Sequence, residues 1–233
     1  MLQVNDLQAG YGGSQVLHGV SLHVQDGEAV VILGPNGHGK TTLLRAISGL
    51  IQPTGGHVAL EGREITRLEP EVIVAAGVVH IPQGDLLFPE MTVMENLLMG
   101  AYRSDAWRER NKKAERVFAL FPRLAERKKQ LARSLSGGER RMLALGRGLM
   151  GDARIFMIDE PSLGLAPLVI EQVYETIREI RRTGLPILLV EENANHIAGL
   201  ADRVYLLEAG TLVQEGTAEE LLQNEALLAA YLG

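Results

Sequence analysis

The apolar run Glu28-Ala-Val-Val-Ile-Leu33 leads straight into Gly34-Pro35-Asn36-Gly37-His38-Gly39-Lys40-Thr41-Thr42. A continuous apolar run is the pattern of a strand buried on both faces. The residues that follow, KTTLLRAISGL, have a helical period. Glycines spaced G-x-x-x-x-G-K-[ST] between a strand and a helix turn backbone N–H groups inward and cradle a phosphate. The helix N-terminus adds the positive end of its dipole. Lys40 then reaches β- and γ-phosphates, and the Thr41 hydroxyl ligates Mg²⁺. Gly34 to Thr42 are therefore the candidate phosphate-binding residues. Within them His38 fills a free position of the motif and reads as a tolerated loop side chain.

The rest of the chain fits the same kind of fold. LQVNDL and VLHGVSLHV alternate like half-buried strands, and HVALEG, GVVHIP, RIFMID and PILLV are further strand candidates. RVYLLEAG and TLVQEG read as a hairpin around Ala209-Gly210, and AEELLQNEALLAAYL as a closing amphipathic helix. Helical patterns separate several of these runs, notably ERRMLALGRGLM and the stretch from Pro167 to Arg182. Strands alternating with helices imply an α/β core with a largely parallel sheet. The block at about 91–150 interrupts the alternation and is a candidate helical subdomain.

Bulk properties exclude several classes of function. Apolar residues make up 46 % of 233, enough for a sizeable core. Net charge is −6, which argues against non-specific nucleic-acid binding. There is no cysteine, so thiolate metal sites and cysteine nucleophiles are excluded. The start, MLQVNDLQAGYGG, lacks the pattern of a secretory signal. No apolar stretch reaches the roughly 18–20 residues of a membrane span. The expected location is the cytoplasm, with any membrane role supplied by a partner.

RIFMID ends in Asp159 and is followed by Glu160. Beside a phosphate loop, such a pair has a chemical role. Asp159 would hold Mg²⁺, and Glu160, one residue further out, would polarise an attacking water. Phosphoryl transfer needs this positioning and charge neutralisation rather than covalent chemistry. A second anion-type site appears at Leu135-Ser136-Gly137-Gly138-Glu139, where Ser136 caps a helix start and the glycines leave N–H groups open.

Two phosphate-type sites in one chain resemble the ATP-binding cassette (ABC) transporter ATPases, whose signature motif LSGGE matches. The resemblance covers almost the whole chain. It implies a P-loop NTPase fold of the ABC type over 1–233: a mainly parallel sheet core, antiparallel strands and a helical subdomain. It also implies a head-to-tail pair of ATPase subunits, identical or sister. Ser136, Gly137 and Gly138 of one subunit would cover the γ-phosphate bound by the other. Tyr11 would stack on adenine. Gln83, in HIPQGDLLFPEMTV, would contact Mg²⁺ and the membrane partner. DEPSLGLAP, FPRL, MTVMENL and the terminal YLG are similar to the shorter ATPase of branched-chain amino-acid importers. Urea and short-chain amide importers have closely similar ATPases. Soluble, non-transport cassettes are the remaining alternative, disfavoured by the single cassette and acidic balance.

The resemblance thus implies an ATP-hydrolysing importer subunit. It would be peripheral on the inner face of the membrane, bound to permease subunits and served indirectly by a solute-binding protein. ATP and Mg²⁺ would be its cofactors, and Glu160, Lys40 and Gln83 its catalytic groups. Two positions depart from the family pattern. Glu192 stands where a histidine usually touches the γ-phosphate, and a carboxylate there is expected to repel phosphate. His196, four residues on, lies about one helical turn away and is a candidate to reach back. Ala166 replaces a loop aspartate that helps couple the two sites.

Overall fold

The computed structural model describes residues 1–222. Most of the expected C-terminal helix, and the YLG end, lie outside the described residues. A hairpin opens the chain: β1 (Leu2–Tyr11) turns at Gly12-Gly13 into β2 (Ser14–Val24). There follow β3 (Ala29–Leu33), α1 (Lys40–Ile47), β4 (Gly55–Leu60), β5 (Arg63–Glu64), α2 (Pro70–Ala76) and β6 (Val78–Ile81). Five consecutive helices come next: α3 (Val93–Gly100), α4 (Ser104–Arg108), α5 (Arg110–Leu120), α6 (Pro122–Glu126) and α7 (Gly137–Leu149). The chain then returns to β7 (Ile155–Asp159), α8 (Pro167–Arg182), β8 (Ile187–Glu191), β9 (Arg203–Glu208), β10 (Thr211–Thr217) and α9 (Ala218–Leu222).

These strands make two sheets. An antiparallel sheet has the order β2-β1-β4-β5, and a six-stranded sheet the order β10-β9-β3-β8-β7-β6. In the second sheet every pairing is parallel except the β9–β10 hairpin. Strands β3, β7 and β8 are buried at every position, which explains their unbroken apolar runs. One face of this sheet packs with α1 against the antiparallel sheet, through Val30, Ile32, Leu43, Leu44, Met157 and Leu188. The other packs against α3, α5, α7 and α8, through Val31, Leu97, Leu143, Phe156, Val173 and Ile177. The hydrophobic pattern does not reveal α2 or β5; the first is only seven residues long and the second only two.

Strand order positions the site. Strands β3 and β7 flank β8, so Leu33 pairs with Glu191 and Asp159 with Val190. The phosphate loop and the acidic pair, more than a hundred residues apart in sequence, therefore leave the sheet at the same edge. This is the carboxyl edge of a parallel sheet, where α/β folds place ligands.

One half-buried titratable group lies in the edge strand. His80 Nδ1 is 3.2 Å from Ser48 Oγ, while Nε2 is buried without a partner. Burial, and secondarily the charge of Arg45, pushes the imidazole from 6.5 down to about 4. Above pH 6.5 the ring is neutral in both states and exerts no effect. Below it the unfolded chain takes up a proton that the folded chain refuses, so stability falls as pH drops toward 4. At pH 5 the loss from this group is about 2 kcal/mol. Urea unfolding at pH 7.5 and pH 5 checks this: the loss in His80→Gln should be smaller than in the wild type by that amount. Equal losses would show that His80 titrates normally.

Candidate nucleotide site

The phosphate loop is shaped by close backbone approaches. A Cβ on Gly34 would stand 2.4 Å from the carbonyl oxygen of Leu207, so only glycine lets the loop leave β3 beside β9. Gly39 has φ +106, a left-handed conformation that turns the chain into α1. Lys40 is 3 % exposed. Its Nζ donates to the carbonyl oxygens of Gly34 at 2.6 Å and Pro35 at 3.1 Å. It also pairs with Glu160 Oε1 at 3.1 Å.

The acidic pair meets this loop directly. Thr41 Oγ1 donates to Asp159 Oδ1 at 3.0 Å. The other oxygen, Asp159 Oδ2, is buried with no hydrogen-bond partner. Burial raises the Asp159 carboxyl to about 6, the Thr41 hydrogen bond opposes the shift, and the neighbouring Glu160 charge adds to it. An orphaned carboxylate oxygen beside a hydroxyl is a hard oxygen donor set of the kind Mg²⁺ takes. The residues therefore fit the ion. Glu160 sits at φ 45, an uncommon conformation for a non-glycine residue. Its N–H donates to Val190 O at 3.1 Å, and Gln83 Nε2 donates to Glu160 Oε2 at 2.9 Å. Glu160 thus touches both Lys40 and Gln83, the other two groups expected to be catalytic.

Tyr11 stands 47 % exposed at the tip of the first hairpin, where its hydroxyl accepts from Arg45 Nη1 at 3.3 Å. Asn36 Nδ2 donates to Glu192 Oε2 at 2.7 Å. Glu192 is thus tied to the phosphate loop, and its position beside that loop agrees with the motif. His196 does not reach back. Its ring stacks on Tyr174, with centroids 5.2 Å apart. His38 does more than fill a free position. Its Nδ1 accepts from Ala209 N–H and its carbonyl from Gly210 N–H, both at 3.1 Å, which fastens the loop to the β9–β10 turn.

The signature stretch is a capping box. Ser136 Oγ accepts from Glu139 N–H at 3.3 Å, and Glu139 Oε2 accepts from Ser136 N–H at 2.9 Å. Gly137 and Gly138 form the first residues of α7. Among the described residues no hydrogen bond joins Ser136, Gly137 or Gly138 to the phosphate loop.

Sequence patterns did not reveal the clamp between Gln83's loop and α7. Asp85 pairs with Arg141 at 3.0 Å and Arg140 at 3.9 Å. Arg147 donates to the carbonyls of Leu86 at 2.8 Å and Asp85 at 3.2 Å, and its guanidinium lies over Phe88. A signal existed: Arg140 and Arg147 are seven residues apart and share a helix face. Their partners were not readable, because Asp85 and Leu86 take positive φ values that no local pattern announces.

Residues 17–163 match the family described as ABC transporter. The chain is 43 % identical, over the full length of both proteins, to the high-affinity branched-chain amino acid transport ATP-binding protein BraG of Pseudomonas aeruginosa. It is 38 % identical to the probable branched-chain amino acid transport ATP-binding protein LivF of Archaeoglobus fulgidus, over 97 % of this chain and 95 % of that one. Among solved structures it is similar to an ATP-binding cassette of an ABC transporter in its ADP conformation. The TM-score is 0.87 and the identity 27 %, over 100 % of this chain and 98 % of that one. It is also similar to a dimeric bacterial ABC transporter cassette, with TM-score 0.81 and 25 % identity over 94 % and 99 %. Loop, acidic pair and signature together with these matches establish that the chain belongs to the ABC transporter family, as an ATP-binding, ATP-hydrolysing subunit.

Proposed function

We propose that this subunit powers an importer of branched-chain amino acids from the cytoplasmic face of the membrane. The observation that carries the substrate class is the full-length 43 % identity to BraG. In this reading 1–233 is one ABC ATPase domain, with a helical subdomain at about 91–150.

Hydrolysis then divides among the residues already placed. Gly34 to Thr42 hold the phosphates, and Tyr11 stacks on adenine. Thr41, Asp159 and Gln83 would hold Mg²⁺. The ion, when bound, neutralises charge on the phosphate oxygens. Lys40 leaves the carbonyls of Gly34 and Pro35 for the phosphates. That movement releases Glu160, whose carboxylate orients and polarises the attacking water. Ser136, Gly137 and Gly138 serve the site of a second ATPase subunit, identical or sister; among the described residues none of them hydrogen-bonds to this chain's own phosphate loop.

A membrane partner is supported by an exposed apolar groove of about 670 Å³ lined by Met91, Glu95, Leu98, Met99, Tyr102 and Trp107. Tyr102 is 57 % and Trp107 45 % exposed, an unusual concentration of large apolar surface. Leu86 and Phe88, in Gln83's loop, are exposed too. No helix among the described residues is long and apolar enough to cross a membrane. A permease seated in this groove would press on the loop that carries Gln83. The Asp85 clamp would pass the movement to α7 and the signature.

Glu160→Gln should bind ATP as the wild type does, lose hydrolysis by about 10²-fold or more, and accumulate an ATP-bound dimer. Nucleotide binding, phosphate release and sedimentation check this; a wild-type rate would refute the assignment of the base. Asp85→Asn should destabilise the fold by roughly 2–3 kcal/mol, since it strands the buried Arg141 guanidinium. Asp85→Asn combined with Arg141→Met should recover much of that loss in chemical unfolding. Purification from detergent-solubilised native membranes tests the wider reading. Two permeases and a second ATPase are expected, with a binding protein responding to leucine. A binding protein responding to urea or amides would reassign the substrate, and soluble partners alone would overturn transport.

A further inference from the structure

The end of β8 carries a carboxylate that motif reading leaves without a role. Glu191 is 1 % exposed. Burying a charge is costly unless donors surround it. Here three do. Glu191 Oε1 accepts from Tyr174 Oη at 2.5 Å and from Ser162 N–H at 3.3 Å. Glu191 Oε2 accepts from Glu192 N–H at 2.9 Å. Its backbone carbonyl accepts from Gly34 N–H at 3.3 Å. No cation pairs with it among the described residues.

These partners belong to different parts of the nucleotide site. Ser162 lies two residues after Glu160, so its N–H fixes the backbone on which Glu160 holds its positive φ. Glu192 bonds to Asn36 in the phosphate loop. Gly34 opens that loop. Tyr174 belongs to α8 and is itself buried, its ring covered by His196. One side chain therefore fastens the segment after the acidic pair, the segment after β8 and the helix behind them. Charged hydrogen bonds of this kind are stronger and more directional than neutral ones.

We propose that Glu191 is a positioning residue for hydrolysis. Its ionised carboxylate sets the backbone of the loop after Glu160, and hence the distance from the Glu160 carboxylate to the phosphate loop, while Tyr174 anchors it to α8. It touches neither nucleotide nor water and acts through Glu160. The inference rests on Glu160 as the water-polarising group.

Glu191→Gln tests it with almost no change in shape. An amide has one accepting oxygen, so whichever way it faces, its NH₂ opposes the N–H of Ser162 or Glu192. Turnover should fall about tenfold or more, since small displacements of a catalytic group have effects of that order. ATP affinity should be unchanged. Tyr174→Phe removes one donor and leaves both backbone bonds, so it should lower turnover by a smaller factor. It also serves as the readout if Glu191→Gln does not fold. Adding Glu191→Gln to Glu160→Gln should produce no further loss, because both act at one point. A purely structural role would instead lower the melting temperature of Glu191→Gln and leave its turnover per folded molecule at the wild-type value. That outcome overturns the proposal, as does an additive loss in the double variant. Wild-type turnover in Glu160→Gln alone would overturn the base assignment instead, whatever Glu191→Gln does.

Discussion

The buried pair between Lys40 and Glu160 joins the two halves of the nucleotide site, and its geometry depends on nearly every other feature of the fold. Two opposite charges at 3.1 Å, both almost fully removed from water, are stable only if further groups satisfy them. The carbonyls of Gly34 and Pro35 do so for the ammonium, and Gln83 does so for the carboxylate. On the proposed reading the same groups separate when a triphosphate takes the lysine. On that reading nucleotide exchanges the pair for another arrangement, with the carbonyls, the glutamine and the carboxylate released together.

Strand order makes this junction possible. With β8 between β3 and β7, the phosphate loop and the acidic pair are held at a fixed separation by a sheet buried on both faces. The antiparallel sheet adds Tyr11 at a hairpin tip, and His38 ties the loop to the β9–β10 turn. The helices between β6 and β7 carry the signature to a separate place. Asp85, Arg141 and Arg147 link that helix block to Gln83, and so to Glu160.

Much of this was legible in the sequence because it obeys local rules. The spacing of Gly34, Gly39 and Lys40 demands a phosphate cradle, and the unbroken apolar runs of β3, β7 and β8 demand burial on both faces. Ser136 before a glycine pair announces a helix cap. What stayed hidden depends on tertiary partners. Nothing beside Glu191 in the chain reveals that Tyr174 and Ser162 will surround it. Nothing near Asp85 reveals Arg141, fifty-six positions away in sequence. Glu192 looked unfavourable as an isolated charge; its hydrogen bond to Asn36 appears only when β8 is laid beside β3.

The most direct test is a crystal structure with Mg²⁺ and a slowly hydrolysed ATP analogue, from which the distance between Lys40 Nζ and the Glu160 carboxylate is measured. The 3.1 Å contact should be lost. The lysine should lie on the phosphates, Thr41 and Asp159 should surround the metal, and the Glu160 carboxylate should face the γ-phosphate. An intact Lys40–Glu160 pair with the nucleotide bound elsewhere would contradict it.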